Sequence, residues 1–194
     1  MIEEKFFSPI QESRNDNFNK EKKIVLDFLD REAKGEVGSR LYKHEGRLDD
    51  NIRGLVAKIN QLLFLYTEQA CGGHIITAES MRAKHPEAKY LQLPPPNKSI
   101  YIAGNIDFET DGDSQSEIFI SRLKDLISQF DGITLFDPRE IKDPKYHTHL
   151  PYTLKFGKNV GRRSIDIEQV QALELNKEKF MFKLEKLIDE FIPK

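Results

Sequence analysis

The segment Tyr66-Thr67-Glu68-Gln69-Ala70-Cys71-Gly72-Gly73-His74 gathers residue types that can do chemistry. Cys71 is the chain's one cysteine and supplies a thiol. His74 supplies an imidazole three residues later. The two glycines between them tolerate positive φ and let a ligand approach the backbone closely. Consecutive N–H groups in such a turn can cradle an anion. Thr67, Cys71, Gly72, Gly73 and His74 are therefore candidate ligand-binding residues. The competing reading is a hairpin with a buried thiol and a surface histidine. A metal centre demands more than two ligands. His85 is the nearest third donor in sequence, and nothing in the sequence fixes its position. No bound zinc is expected.

A second candidate is Lys155-Phe156-Gly157-Lys158-Asn159-Val160-Gly161-Arg162-Arg163. Lys155, Lys158, Arg162 and Arg163 supply cations, and two glycines supply free backbone donors, which together suit a phosphate or RNA. A charged hairpin tip is the alternative. The acidic run Asp107-Phe108-Glu109-Thr110-Asp111-Gly112 begins like a calcium-binding loop. Such a loop closes with a bidentate Glu, and Ile118 stands at that position, so no calcium is expected. His147 and His149 alternate in a proline-bounded stretch and would point to opposite sides of an extended chain. The nucleotide-triphosphatase loop, the serine-hydrolase elbow, the dinucleotide glycine fingerprint and the kinase motifs do not occur.

Composition bounds the rest. The chain has 194 residues, 38% hydrophobic and 32% charged, with 13 Phe and 6 Tyr to fill a core. One domain spanning 1–194 suits that length. The net charge of −2 gives no global basic field, so any nucleic-acid contact must be local. A lone cysteine excludes an intramolecular disulfide and points to a reducing, cytoplasmic setting. Met1–Ser8 lacks the apolar run of a signal peptide. No stretch reaches the roughly 18 apolar residues of a membrane span, so no membrane association is expected.

The elements that must carry these segments follow from periodicity. Residues 1–16 are polar and expected to be loosely ordered. Residues 18–34 read as a helix ended by Gly35. Asp49 or Asp50 caps a second helix whose stripe is Ile52, Leu55, Val56, Ile59, Leu62 and Leu63. Strands at 65–70 and 74–78 suggest a hairpin. Residues 79–98, with Pro94-Pro95-Pro96, read as an extended connection. Residues 99–108 read as one strand, followed by a turn at Asp111-Gly112-Asp113 and a helix with a Ser114/Glu117 capping box. A short strand at 133–136 completes a strand-helix-strand unit with parallel strands. Residues 137–151 read as a loop, 152–156 and 164–170 as a second hairpin, and 173–191 as a closing helix. The expected class is α/β (α+β): a mixed β-sheet with helices packed on it, in a single domain.

The N-terminal part resembles a known family. Phe18, Glu21-Lys22-Lys23, Leu26, Gly46, Leu48-Asp49, Ile52, Leu55, Ile59-Asn60, Tyr66-Thr67, Cys71, Gly73 and Ile75 are similar to the tRNA wybutosine-synthesising methyltransferases, and to small bacterial and phage proteins with a Cys-Ser-Gly-His segment. The likeness covers about residues 18–76. Where the family has Thr-Ser-Ser, this chain has Glu68-Gln69-Ala70, and His74 replaces an Arg. The resemblance implies methyl transfer from S-adenosylmethionine to a tRNA base, with Thr67, Cys71, Gly72, Gly73 and His74 lining the site. RNA or a nucleotide-like ligand is then the expected partner. The rival class is a non-catalytic interaction or accessory protein. An enzyme requires the Cys71 segment, the basic turn and a pocket to share one face.

Overall fold

Apolar stripes of helical period and strands rich in aromatic and β-branched residues meet in one core. The computed structural model describes residues 9–34, 48–84, 93–143, 146–157 and 164–193. In chain order the elements are α1 (Pro9–Ala33), α2 (Asp50–Ile59), β1 (Leu65–Cys71), β2 (His74–Ile76), α3 (Ala78–Lys84), β3 (Lys98–Ile102), β4 (Gly104–Thr110), α4 (Ser114–Ile127), β5 (Ile133–Phe136), β6 (Arg139–Asp143), β7 (Tyr146–Leu150), β8 (Tyr152–Phe156), β9 (Ser164–Asp166) and α5 (Ile167–Asp189). The protein is an α+β fold, and its described residues form one four-stranded sheet, one three-stranded sheet and a separate hairpin.

The sheet orders are β1-β4-β8-β5 and β2-β3-β9. All neighbouring pairs in them are antiparallel, where mixed pairing was expected. β4 and β5 do run the same way, because both are antiparallel to β8 between them. The strand-helix-strand unit is thus split by a third strand.

The two larger sheets are one ribbon system continued across a bend. β1 runs on into β2 and β3 into β4, and these partners match on both sides. Cys71 pairs with Asn105, and His74 pairs with Ile102. Gly72-Gly73 on one strand therefore faces Ala103-Gly104 on the other, with no change of register. This overturns the hairpins expected at 65–78 and 152–170, since β1 and β2, and likewise β8 and β9, lie in different sheets. It also divides the strand expected at 99–108. The buried phase switches at the bend, from Ser99 and Tyr101 on β3 to Gly104, Ile106 and Phe108 on β4.

Glycine is required at the bend because two backbones touch there. Gly73 has φ +83°, and a Cβ on it would stand 2.8 Å from both Gly104 N and Ile102 O. A Cβ on Gly104 would stand 2.6 Å from Cys71 O and 2.8 Å from the Phe156 ring.

α2, α4 and α5 pack into one core with the four-stranded sheet. α2 buries Ile52, Leu55, Val56 and Ile59 as expected. Leu62 is also buried, but Leu63 is 70% exposed, because the helix ends at Ile59 and its stripe stops with it. α4 and α5 add Phe119, Leu123, Phe180, Leu184, Leu187 and Ile188 to the same core. Phe119 packs edge-on against Phe191, with ring centroids 5.4 Å apart. α1 begins at Pro9, ahead of the helix start expected at residue 18. Its Lys22 is buried and donates to the carbonyls of Asn60, Leu62 and Leu65, fastening α1 to the connection between α2 and β1. Burial pushes that ammonium down to about 8, with Asp111 opposing.

Three further expectations change in detail. α4 is capped by Asp113, whose carboxylate accepts from Ser116 N–H at 2.7 Å, so the cap lies one residue before Ser114. Residues 139–150 form the β6-β7 hairpin, where a loop was expected, and His147 and His149 pair with Lys142 and Glu140. The 79–98 stretch contains α3, and 85–92 lie outside the described residues.

Two substitutions test this packing. Ile59→Ala should lower unfolding stability by about 2–5 kcal/mol in chemical denaturation. Gly73→Ala should cost at least about 2 kcal/mol, since it adds left-handed strain to a backbone clash. A loss under about half a kilocalorie in either variant contradicts the assigned packing at that residue.

Candidate functional site

The bend is where side chains from separate elements converge. Its first contributor is the start of α2. Glu32 on α1 accepts from Leu48 N–H at 3.0 Å, and Arg53 donates to Leu48 O at 3.2 Å. These bonds fix the residue preceding Asp49. Asp49 stands at the N-cap position of α2, yet its side chain makes no capping bond. Its Oδ2 instead accepts from Gly72 N–H at 2.8 Å. The anion-binding position of the turn is thus filled by the protein's own carboxylate.

The Gly72 carbonyl is held as well. Lys177 of α5, only 4% exposed, donates to it at 3.1 Å, and Asn51 Nδ2 lies 3.5 Å away. Lys177 is also paired with Glu174 at 2.7 Å. A Cβ on Gly72 would lie 1.9 Å from Asn51 Oδ1. Side chains from α2 and α5 therefore grip one glycine peptide from both ends.

Cys71 and His74 flank that peptide, with Sγ and Nε2 3.4 Å apart. One ligand atom each from Asp49, Cys71 and His74 lie within 4.8 Å of one another. Burial pushes the Cys71 thiol up, and Asp49 adds to the effect. The Gly73 N–H, bonded to the sulfur, and the Lys177 charge oppose it. The thiol is therefore favoured over the thiolate, which removes a free nucleophile from the chemistry on offer. Thiol, imidazole and carboxylate together can hold a cation or take part in proton exchange.

Tyr101 lies below the turn. It is 2% exposed, and among the described residues its hydroxyl makes no hydrogen bond of standard geometry, although the Glu174 carboxylate is near enough to accept from it. A Cβ on Gly157 would stand 2.4 Å from that oxygen, so glycine lets β8 leave the sheet past the phenol. Burial, then the nearby Glu174 carboxylate, push the phenol well above its ordinary value.

Of the residues expected at the site, Cys71, Gly72, Gly73 and His74 sit together at the bend. Thr67 does not join them. It is fully buried on the inner side of β1, where its N–H donates to Asn60 Oδ1 at 3.0 Å and its hydroxyl accepts from Asn60 Nδ2 at 2.8 Å. Lys155 stands in the same cross-strand row as Cys71, through Asn105. Its ammonium lies 5.5 Å from the Phe136 ring centroid, on the β5 side of β8 and away from the turn. Lys158, Arg162 and Arg163 fall outside the described residues. On either side of that segment, Phe156 and Ser164 pair with Gly104 and Ile100.

Asp49, Asn51, Tyr101, Glu174 and Lys177 complete the cluster and were not singled out from the sequence as site residues. Lys177 carried a signal. It interrupts an apolar stripe that includes Val170, Phe180, Leu184 and Leu187, and a charge on a buried helix face needs a partner. A groove of about 310 Å³ between α4 and α5 is a separate feature, lined by Arg122, Asp125, Gln129, Lys183, Lys186 and Glu190 among others.

No family model and no curated protein matches the sequence. Among solved structures the chain is similar to the PH1069 protein from Pyrococcus horikoshii. That likeness spans 91% of this chain and 96% of the other, at 14% identity and a TM-score of 0.49.

Proposed function

We propose that the bend binds a nucleotide-like ligand, and that the chain transfers a methyl group from S-adenosylmethionine to an RNA base. The observation that carries this reading is the convergence on Gly72 of Asp49, Asn51 and Lys177, beside the buried Tyr101 hydroxyl. A buried donor at such a cluster suits a ligand acceptor. The charge at the turn narrows the ligand class. With Asp49 seated on the Gly72 N–H, the turn repels a free phosphate and favours a cation or a hydroxyl donor. S-adenosylmethionine carries a sulfonium and a ribose diol. The resemblance of residues 18–76 to the wybutosine-synthesising methyltransferases supports the same donor. In this reading Asp49 faces the positive or hydroxyl-bearing part of the donor, and Tyr101 donates its proton to a ligand acceptor. The rigid bend then holds methyl donor and acceptor base in line, which is the main work of a methyltransferase.

Thermal unfolding with S-adenosylmethionine, S-adenosylhomocysteine and adenosine monophosphate tests the reading. S-adenosylmethionine or its product at a hundred times the dissociation constant should stabilise the fold by about 2.7 kcal/mol. Adenosine monophosphate should stabilise it less, because its phosphate meets Asp49. Tyr101→Phe should weaken binding about 3- to 10-fold, the worth of one hydrogen bond. No stabilisation by S-adenosylmethionine or S-adenosylhomocysteine assigns the cluster to a non-catalytic role.

A further inference from the structure

We propose that Asp49, Cys71 and His74 form a binding site for one divalent transition metal of the zinc class, with a fourth coordination position open to solvent. The inference stands apart from methyl transfer and does not rest on it. From sequence the site lacks a third donor, because Asp49 is 22 residues before Cys71 and reads as a helix cap. The fold supplies that donor by turning the Asp49 side chain away from α2 and onto the Gly72 N–H.

The distances suit a metal. Bond lengths of about 2.3 Å to sulfur and 2.0–2.1 Å to nitrogen, at a tetrahedral angle, imply a sulfur–nitrogen separation of about 3.6 Å. Cys71 Sγ and His74 Nε2 are 3.4 Å apart. All three donor atoms fall within 4.8 Å, so the carboxylate needs a shift of about an ångström, within reach of side-chain rotation. Thiolate, imidazole and carboxylate together favour zinc over magnesium or calcium, which take oxygen ligands.

The surroundings also suit coordination. The Gly72 N–H orients Asp49 through Oδ2 and leaves Oδ1 for a metal, an outer-shell arrangement common around metal ligands. His74 is exposed, while Cys71 and Asp49 are half-buried, so an ion has a path in and a solvent-facing position remains. Lys177, the nearby cation, is engaged by Glu174 and the Gly72 carbonyl. A bound metal would tie the start of α2 to the bend.

Cobalt titration of chelator-treated full-length protein tests the proposal. One equivalent of cobalt should give a thiolate-to-cobalt charge-transfer band, and zinc should abolish it. Asp49→Asn keeps the acceptor for Gly72 N–H but removes the charge, and it should weaken zinc binding at least about tenfold. Cys71→Ser should remove the band, and His74→Ala should weaken binding by at least as much as Asp49→Asn. Glu190→Gln, in the separate groove between α4 and α5, should leave zinc affinity unchanged. Circular dichroism on each variant separates lost binding from lost folding. If a variant does not fold, the band of the unmodified protein decides. No charge-transfer band in that protein overturns the site. Zinc binding that Asp49→Asn leaves intact overturns it equally. Because the probe is the metal alone, the outcome is independent of whether S-adenosylmethionine binds.

Discussion

The close approach of two backbones at Gly73 and Gly104 is the constraint on which the fold depends. A Cβ on Gly73 would meet Gly104 N, and a Cβ on Gly104 would meet Cys71 O. Only glycine on both strands lets an antiparallel pair bend this sharply while keeping its register. The bend turns what would be one long ribbon into two sheets that share the β1–β2 and β3–β4 continuations. It also leaves the Gly72 peptide within reach of α2 and α5, and side chains from those helices take both its N–H and its carbonyl. The candidate site is therefore a consequence of the bend.

Electrostatics at the bend follow from what occupies it. A turn with adjacent glycines offers N–H groups to an anion, and here the anion is Asp49. The protein has satisfied its own nest, which changes the preferred ligand from phosphate to a cation or a hydroxyl donor. The buried Lys177 is held by Glu174 and by a backbone carbonyl, as a charge 4% exposed must be. Tyr101 is a buried hydroxyl whose nearby acceptor, Glu174, is shared with Lys177.

Much of the local structure is legible in the sequence. The α2 stripe, β1, β5, β8 and the core face of α5 lie where periodicity puts them, because local spacing decides which side of an element is apolar. The pairing is not legible. Gly72-Gly73 between two short strands reads as a hairpin turn, but φ > 0 at one glycine also serves a bend. Only the distant partner 100–110 distinguishes the two. The Cys71-to-His74 half of the site is visible because its residue types are unusual. The other half is not, since Asp49, Tyr101 and Lys177 reach the bend through tertiary packing. Each has an ordinary local role, as a helix start, a strand residue or a helix residue. Thr67 shows the converse, a residue adjacent in sequence that faces the opposite side of its strand and bonds Asn60.

The central claim is that the bend is where ligand chemistry happens. Residue-resolved NMR shifts of isotope-labelled protein titrated with S-adenosylhomocysteine test it most directly. The account predicts that the largest backbone shifts fall on Gly72, Gly73, Gly104 and Tyr101, with smaller ones on the first turn of α2. Shifts concentrated instead between α4 and α5, at Arg122, Lys183 and Lys186, would contradict it.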